Sequence, residues 1–392
     1  MAKSRLASRV GRMGTESAFE VLARARALEA QGRKIIHLEI GEPDFDTPAH
    51  IKEAAVEALR QGYTHYVPSA GLPELREAVG EFFGRTGRGY FPGDRIVITP
   101  GAKPIMFYAI MSLCEEGDEV IYPDPGFPMY ESITSFAGGS PVAVPLREDN
   151  QFRVDPEEVA AAVTDRTRLL VLNSPQNPCG SALTKEDVEA LAEIALRHDL
   201  YVLSDEVYWA IKYEGEHHSI AAVDGMRDRT ILLDGCSKTH AMTGWRLGFA
   251  AYPPEMVEPV SRMIINSVSC SAAFTQRAAL AAVTGPWEPI QAMIEEFHKR
   301  RDVIVEGLNR IPGISCTMPA GAFYAFPNIS ELGFSSEQVA EFIMDRAGVA
   351  CLAGTAFGPN GQGYLRFSYA NSVEMIGDAL EAIEAALPEL TG

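Results

Sequence analysis

The sequence is poor in cysteine, and the cysteines that it has are far apart. Six occur among 392 residues, and no two are closer than 34 positions. This spacing excludes the Cys-x-x-Cys pairs of structural zinc sites, and scattered single thiols are typical of a reducing compartment. We therefore expect a cytoplasmic protein without a metal site.

Long hydrophobic runs and an excess of positive charge are also missing. No stretch reaches the ~18 apolar residues that a membrane span needs. The basic N-terminal segment lacks the apolar core of a signal peptide. Acidic residues number 53 against 34 basic ones, which gives a net charge of −19. Because nucleic acids and anionic membranes attract basic surfaces, we expect neither as a partner.

What remains is a globular composition, 46% hydrophobic and 22% charged. Short apolar runs alternate with helical patterns from about residue 50 to 280. This alternation predicts an α/β fold with a largely parallel sheet covered by helices on both faces. After about residue 285 the pattern becomes α+β. We therefore predict an N-terminal arm or small-domain segment at 1–48, a large domain at 49–285 and a small C-terminal domain at 286–392.

One lysine and one arginine follow a short apolar run at residues 229–234, which is the length of a buried strand. Lys238 comes just after this run, and desolvation there would lower the pKa of its amine and allow attack on a carbonyl. Arg246, eight residues later, offers a planar fork that suits a phosphate. An aldehyde and a phosphate are the two groups of pyridoxal phosphate. For these two residues alone, a surface lysine and a structural arginine remain the alternative.

Five candidate ligand-binding residues follow the predicted strands at their carboxyl ends. They are Gly101, Phe127, Asn177, Asp205 and Lys238. Ligands of open α/β sheets bind in the crevice at that edge. Asp205, directly after an apolar strand, needs a partner, and a pyridinium N–H would be one. Phe127 would lie over a flat ring or be simply packed.

Four further positions are weaker candidates on their own. The turn at 100–104 opens a helix and predicts an anion site or a plain turn. Gly41, after an apolar run, allows backbone to approach a ligand closely. Tyr66 is either a core or a contact residue. Arg366, in the apolar strand predicted at 364–369, must pair with an anion, which is a substrate carboxylate or a structural acid.

Taken together, these residues resemble those of the class I and II aminotransferases, the fold type I pyridoxal phosphate enzymes. The matching segments are IGEPDFDTP (40–48), HYVPSAGLPELR (65–76), NSPQNPCG (173–180), SDEVY (204–208), SKTHAMTGWRLG (237–248) and YLRFSY (364–369). The resemblance covers nearly the whole chain. It implies a large cofactor-binding domain with a mostly parallel seven-stranded sheet between helices, and a smaller α+β domain.

The resemblance also implies how the cofactor is held. Lys238 would form the Schiff base and then move the proton, and Asp205 would pair with the pyridine nitrogen. Tyr208 and Asn177 would hydrogen-bond the phenolic oxygen, and Phe127 would stack on the ring. The phosphate would be surrounded by Gly101, Ala102, Lys103, Ser237 and Arg246.

Substrate and partner contacts are implied in the same way. Arg366 would clamp the substrate α-carboxylate, with Gly41 and Asn177 beside it. Tyr66 would reach the phosphate of the other subunit's cofactor, which implies a homodimer with shared active sites. Lys103 also occupies a position where some relatives hold the distal carboxyl of a dicarboxylic substrate.

The implied reaction is a ping-pong transamination between an L-amino acid of the aspartate, glutamate or alanine kind and a 2-oxo acid. The same scaffold also hosts pyridoxal phosphate lyases and O2-using amino acid oxidases or cyclases, which remain the alternative. A third possibility, from a different class, is a regulatory module that binds the cofactor without turnover. The lack of an appended DNA-binding segment disfavours it.

Overall fold

The computed structural model describes residues 6–391, which form twelve strands and fourteen α-helices. The strands are β1 Ile36–His37, β2 Ile96–Thr99, β3 Glu119–Asp124, β4 Ser140–Pro145, β5 Thr167–Asn173, β6 Tyr201–Asp205, β7 Thr230–Gly235, β8 Gly248–Ala251, β9 Tyr324–Ala325, β10 Val349–Ala350, β11 Leu352–Ala353 and β12 Leu365–Ser368. The helices are α1 Ser17–Glu29, α2 Ala49–Arg60, α3 Pro73–Arg85, α4 Lys103–Leu113, α5 Met129–Ala137, α6 Pro156–Ala162, α7 Lys185–Arg197, α8 Cys236–Thr239, α9 Pro254–Ser267, α10 Ala273–Thr284, α11 Glu288–Leu308, α12 Ser336–Phe342, α13 Val373–Ala386 and α14 Pro388–Thr391.

The main sheet has the strand order β2-β8-β7-β6-β5-β3-β4. β8 runs antiparallel to both neighbours, and every other pair is parallel. The inner strands are buried along almost their whole length, as expected when helices cover both faces. This confirms the predicted α/β fold with a mostly parallel seven-stranded sheet.

Alternate side chains of each strand enter different hydrophobic clusters. On β2, Ile96 and Ile98 pack with α2, α3 and α10, whereas Val97 packs with α4, α5 and α9. Successive side chains of a strand point to opposite faces of the sheet, so the two clusters lie on its two sides. The apolar runs that predicted these strands are therefore continuous because both faces are covered.

Strand register brings the ends of the central strands together. Asn173 pairs with Asp205 across β5 and β6, and Gly235 pairs with Gly248 across β7 and β8. Because β8 runs antiparallel to β2 and β7, its first residue lies at the same edge as the last residues of those two strands. The segments just after β2, β3, β5, β6 and β7 and just before β8 thus meet in one place.

The C-terminal part adds two small sheets, β11-β12-β9 and β1-β10. Its hydrophobic core joins α11, α12 and α13 to Ile36 and Leu38 from the N-terminal segment. The segments 314–318 and 322–326 resemble a strand pair in the sequence, and that prediction is wrong because they do not pair with each other. Only β9 forms there and it pairs with β12, while Ser315 bridges Asn328, since Pro319 and the following turn interrupt the chain. The domain boundaries near 48 and 285 stay predictions.

Within residues 6–391, none of the helices combines the length and the apolar character needed to cross a membrane.

Candidate active site

A cavity of about 470 Å³ opens at the edge of the main sheet where the strand ends meet. Of the residues predicted for the site, those on its wall are Gly41, Ala102, Lys103, Phe127, Asn177, Asp205, Tyr208, Ser237, Lys238, Arg246 and Arg366. Gly101 lies directly behind the wall. Tyr66 is elsewhere on the surface and is 88% exposed.

Lys238 projects into the cavity from α8, the short helix that follows β7. Its amine donates a hydrogen bond to the Gly41 carbonyl oxygen. Desolvation lowers the pKa of Lys238 to about 8 against the attraction of the Glu42 carboxylate, and the positive charges of Arg366 and Lys103 lower it further. A larger share of the amine is therefore unprotonated near neutral pH than for a lysine in water, as a carbonyl-attacking amine requires.

Asp205 ends β6 as a buried carboxylate. The Tyr130 hydroxyl donates to its Oδ2 at 2.6 Å, and the Val207 amide donates to Oδ1 at 3.4 Å. Burial raises the pKa of Asp205 to about 7, and the charges of Asp234 and Glu206 add to this effect. A cation in the cavity facing Asp205 would restore its ionised form, and a pyridinium N–H fits that need.

A cradle suited to an anion lies between the turn after β2 and the start of β8. Gly101 has φ +94°, and a Cβ there would stand 2.4 Å from Nη2 of Arg246. A Cβ at Gly248 would stand 2.5 Å from the Gly101 carbonyl carbon. Only glycine fits at both positions. Helix α4 begins at Lys103, so the unpaired amides of its first turn add to the Arg246 guanidinium.

Arg366 lies on β12 and is buried. Nη1 donates to Oδ1 of Asn177 at 3.2 Å and Nη2 donates to the Glu39 carbonyl oxygen. Its Nε has no hydrogen-bond partner among residues 6–391, and within that range no carboxylate pairs with the guanidinium. The structural acid considered as the alternative for Arg366 is therefore absent from the described residues. A substrate carboxylate would give the guanidinium its anion.

Two tyrosines that the sequence did not single out complete the site. The Tyr324 hydroxyl hydrogen-bonds the Tyr208 hydroxyl at 2.7 Å. A Cβ at Gly41 would lie 2.0 Å from the Tyr324 Oη, which explains the glycine. Tyr130 hydrogen-bonds Asp205, and its position three residues after Phe127 was the available sequence signal. Tyr324 lies in an apolar run, which gave no sequence signal of a functional role.

Sequence reasoning also missed the ion-pair partner of Lys103. Its amine forms an ion pair with Glu16, the residue just before α1. The same amine lies 5.7 Å from the ring centroids of Phe19 and Phe127. Lys103 therefore faces the cavity beside aromatic rings, with its charge already paired.

No group of three or more His, Cys, Asp or Glu side chains in the described part of the chain is arranged to hold a metal ion. The residues present instead fit a phosphorylated pyridine ring with an aldehyde. The buried Asp205 suits a cationic ring N–H, and the partly neutral amine of Lys238 suits a carbonyl group. The cradle at Gly101 and Gly248, which a Cβ would fill, suits an anion.

Comparisons with known proteins agree with this geometry. The profile of the family described as aminotransferase class I and II matches residues 33–383. The chain is 44% identical over 365 residues to aromatic-amino-acid aminotransferase 2 of Thermococcus litoralis, covering 92% of this chain and 94% of that protein. It is 43% identical to an aspartate aminotransferase of Pyrococcus abyssi over the same shares. The solved structure of the Thermus thermophilus aspartate aminotransferase with maleate superposes with a TM-score of 0.94 at 39% identity, covering 98% of this chain and 100% of that chain.

Proposed function

The chain belongs to the class I and II aminotransferases and is an amino-acid aminotransferase, and on that premise we propose that it uses pyridoxal phosphate in a ping-pong reaction between an L-amino acid and a 2-oxo acid. One observation carries the proposal. The Lys238 amine, the buried Asp205 and the buried Arg366 face the same cavity. When bound, the cofactor supplies the aldehyde that exchanges amino groups and the ring that stabilises negative charge at the substrate Cα.

The residues that would hold this cofactor follow from the geometry of the cavity. Lys238 would bind its carbonyl carbon, and the ionised Asp205 would accept a hydrogen bond from its ring nitrogen. Tyr208 and Asn177 would donate to the phenolic oxygen, and Phe127 would cover one face of the ring. Gly101, Ala102, Lys103, Ser237 and Arg246 would surround the phosphate, with free amides at the start of α4 facing the anion.

Arg366 would orient the substrate. Its buried guanidinium is fixed by Asn177 and by the Glu39 carbonyl oxygen, so a substrate α-carboxylate would meet a preorganised fork. Gly41 leaves room for the substrate because it has no side chain. The Lys238 amine, partly neutral at its lowered pKa, would take the proton from the substrate Cα and return it to the product side.

Two substrate classes have support at the side-chain end of the cavity. The Lys103 cation favours a second carboxylate, as in aspartate or glutamate, and alanine needs no side-chain contact. The rings of Phe19 and Phe127 favour a flat or apolar side chain. Relatives named for aspartate and for aromatic amino acids both match the chain over most of its length.

We further propose a cytoplasmic homodimer with shared active sites. A second, open cavity of about 640 Å³ shares Glu42, Thr243 and Arg246 with the first. Tyr66 of a second copy would enter there and contact the phosphate, which would explain why an aromatic side chain is so exposed. The free cysteines support a reducing compartment.

Nitrogen tracing tests the proposed reaction. Protein loaded with pyridoxal phosphate is incubated with one ¹⁵N-labelled L-amino acid and one unlabelled 2-oxo acid, and the products are analysed by mass spectrometry. We expect the label in the amino acid derived from the oxo acid. Release of the label as ammonia, with or without consumption of O2, would contradict transamination and indicate elimination or oxidation.

A further inference from the structure

The start of α4 is an unfavourable place for a cation. Lys103 is the first residue of the helix, where the helix dipole carries positive partial charge. Its ammonium also lies among the positive groups of the cavity, since Lys103 and Arg366 both act on the Lys238 amine. Lys103 therefore needs an anion nearby.

Glu16 provides that anion from a distant part of the chain. Its carboxylate accepts from the Lys103 amine, and its side chain is only 18% exposed. It lies close enough to the reacting groups that its charge acts on Arg366 and Lys238. The carboxylate of Glu16 thus already pairs with the cation that a second substrate carboxylate would seek in this cavity.

Aromatic and aliphatic side chains lie beside this ion pair, in which the Lys103 side chain is 47% exposed and that of Glu16 is 18% exposed. Phe19 and Phe127 flank the ammonium, and Met106, Leu352 and Phe357 line the same cavity. The Lys103–Glu16 pair itself carries no net charge. An uncharged side chain can enter without disturbing the pair, whereas a second carboxylate must compete with Glu16 for the Lys103 amine and approach a like charge.

We propose that Glu16 is a specificity-determining residue, which holds Lys103 so that amino acids with aromatic or other uncharged side chains are favoured over dicarboxylic ones. The inference rests on the proposed function and names its substrate class. Dicarboxylic substrates are admitted only when Glu16 releases Lys103. The discrimination comes from the acidic Glu16, which disfavours dicarboxylic amino acids by repulsion. It does not come from a new contact with amino acids that have uncharged side chains.

Substrate competition tests this role. Glu16→Gln removes the charge and keeps the shape, and Glu20→Gln on the exposed side of α1 is the matched control. All variants are loaded with pyridoxal phosphate, and kcat/KM is measured for L-aspartate and L-phenylalanine with one common 2-oxo acid. We expect Glu16→Gln to raise the ratio of aspartate to phenylalanine by roughly tenfold and Glu20→Gln to leave it unchanged.

A binding experiment separates this inference from the proposed reaction. Calorimetry gives the Kd of maleate and of 3-phenylpropionate, which carry two carboxylates and one. Glu16→Gln should tighten only maleate, and adding Lys103→Gln should remove that gain. Unchanged ratios in both experiments would overturn the role of Glu16 while leaving transamination intact. If none of the variants transfers an amino group, the proposed reaction fails, and the two Kd values alone decide whether Glu16 discriminates.

Discussion

Burial raises the pKa of Asp205, the negative charges of Asp234 and Glu206 raise it further, and the hydrogen bonds from Tyr130 and Val207 only partly oppose this. Its carboxyl group therefore holds a proton in the cofactor-free protein up to about pH 7. Binding of a ring with a cationic N–H would reverse this preference. The residue that we propose to pair with the cofactor thus also makes the stability of the cofactor-free protein depend on pH.

Replacing Asp205 should change how the stability of the cofactor-free protein depends on pH. The pKa of Asp205 is raised from 3.8 to about 7 in the folded state. Its stabilising contribution is complete below pH 4 and is lost as the pH rises through 7, because the folded state holds a proton that the unfolded chain releases. The whole loss amounts to about 4 kcal/mol. Urea unfolding at pH 5, 6 and 7 should show a shallower decline for Asp205→Asn, and equal slopes would contradict this account.

Single residues also mark where sequence reasoning stops. Lys238 and Asp205 could be predicted because each follows an apolar run, and the ends of parallel strands meet at one edge. Glu16 and Tyr324 could not be predicted in this way, because their roles depend on contacts with residues that are far away in the sequence. Glu16 meets Lys103 across 87 positions, and no local pattern carries that contact.

Among the elements, the turn between β2 and α4 is the one most constrained by its neighbours. Gly101 lies in the left-handed region and faces the Arg246 guanidinium. Gly101→Ala would strain the backbone and push Arg246 out of the cradle. We expect the Kd of pyridoxal phosphate to rise by roughly tenfold or more, since one arginine–phosphate contact is displaced.

Gly377→Ala on α13 is the control for that substitution, because a Cβ there meets nothing within 4 Å. Its Kd for the cofactor should equal that of the unchanged protein. Fluorescence or absorbance titration of the cofactor-free protein measures both variants. Equal affinity for Gly101→Ala would show that the cradle tolerates a Cβ and does not hold the phosphate.

The ends of β6 and β7 are also tied together behind the site. Arg88, in the loop after α3, is fully buried and pairs with Asp234 at 2.7 Å and with Glu206 at 3.8 Å. Its guanidinium lies 4.0 Å from the Trp209 ring centroid. This cluster fixes the two strand ends that carry Asp205 and Lys238. Arg88 lies between two glycines, a pattern that predicts an exposed loop residue. The buried cluster therefore could not be predicted from the sequence.

Truncating Arg88 should destabilise the protein strongly. Arg88→Ala leaves the buried Asp234 carboxylate without its cation, which typically costs about 3–5 kcal/mol, while Glu206 keeps its hydrogen bond with His217 at 3.0 Å. The exposed Arg60 is the control, and Arg60→Ala should change the free energy of unfolding by less than about 0.5 kcal/mol. Chemical unfolding measures both. A small effect of Arg88→Ala would mean that Asp234 and Glu206 are satisfied without it.

For the whole molecule, the fold class could be predicted from the alternating strand and helix patterns of the sequence. The oligomeric assembly could not be predicted from those patterns. The order of the strands and the reversal of β8 depend on long-range pairing that no single run encodes. Tyr66 is the residue at which the question of assembly becomes testable. It lies outside the cavity of its own chain, so any catalytic role for it requires a second copy.

Mixed subunits test that requirement. Lys238→Ala should have no turnover and Tyr66→Ala should be weakened, but a hybrid of the two has one site with both residues intact if sites are shared. Random mixing of equal amounts should therefore restore about a quarter of the unchanged activity. Activity no higher than the mean of the two parents would contradict sharing, and a monomer by sedimentation would contradict the dimer itself.

Above all, we propose that this cavity exchanges amino groups through a cofactor held by Lys238. The most direct measurement is the absorption spectrum of the protein loaded with pyridoxal phosphate, followed by anaerobic addition of a single L-amino acid and then of a 2-oxo acid. The account predicts a yellow band that bleaches with the amino acid and returns with the oxo acid, and that Lys238→Ala does not show this cycle. A protein that forms no yellow band, or whose band responds only when oxygen is present, would contradict it.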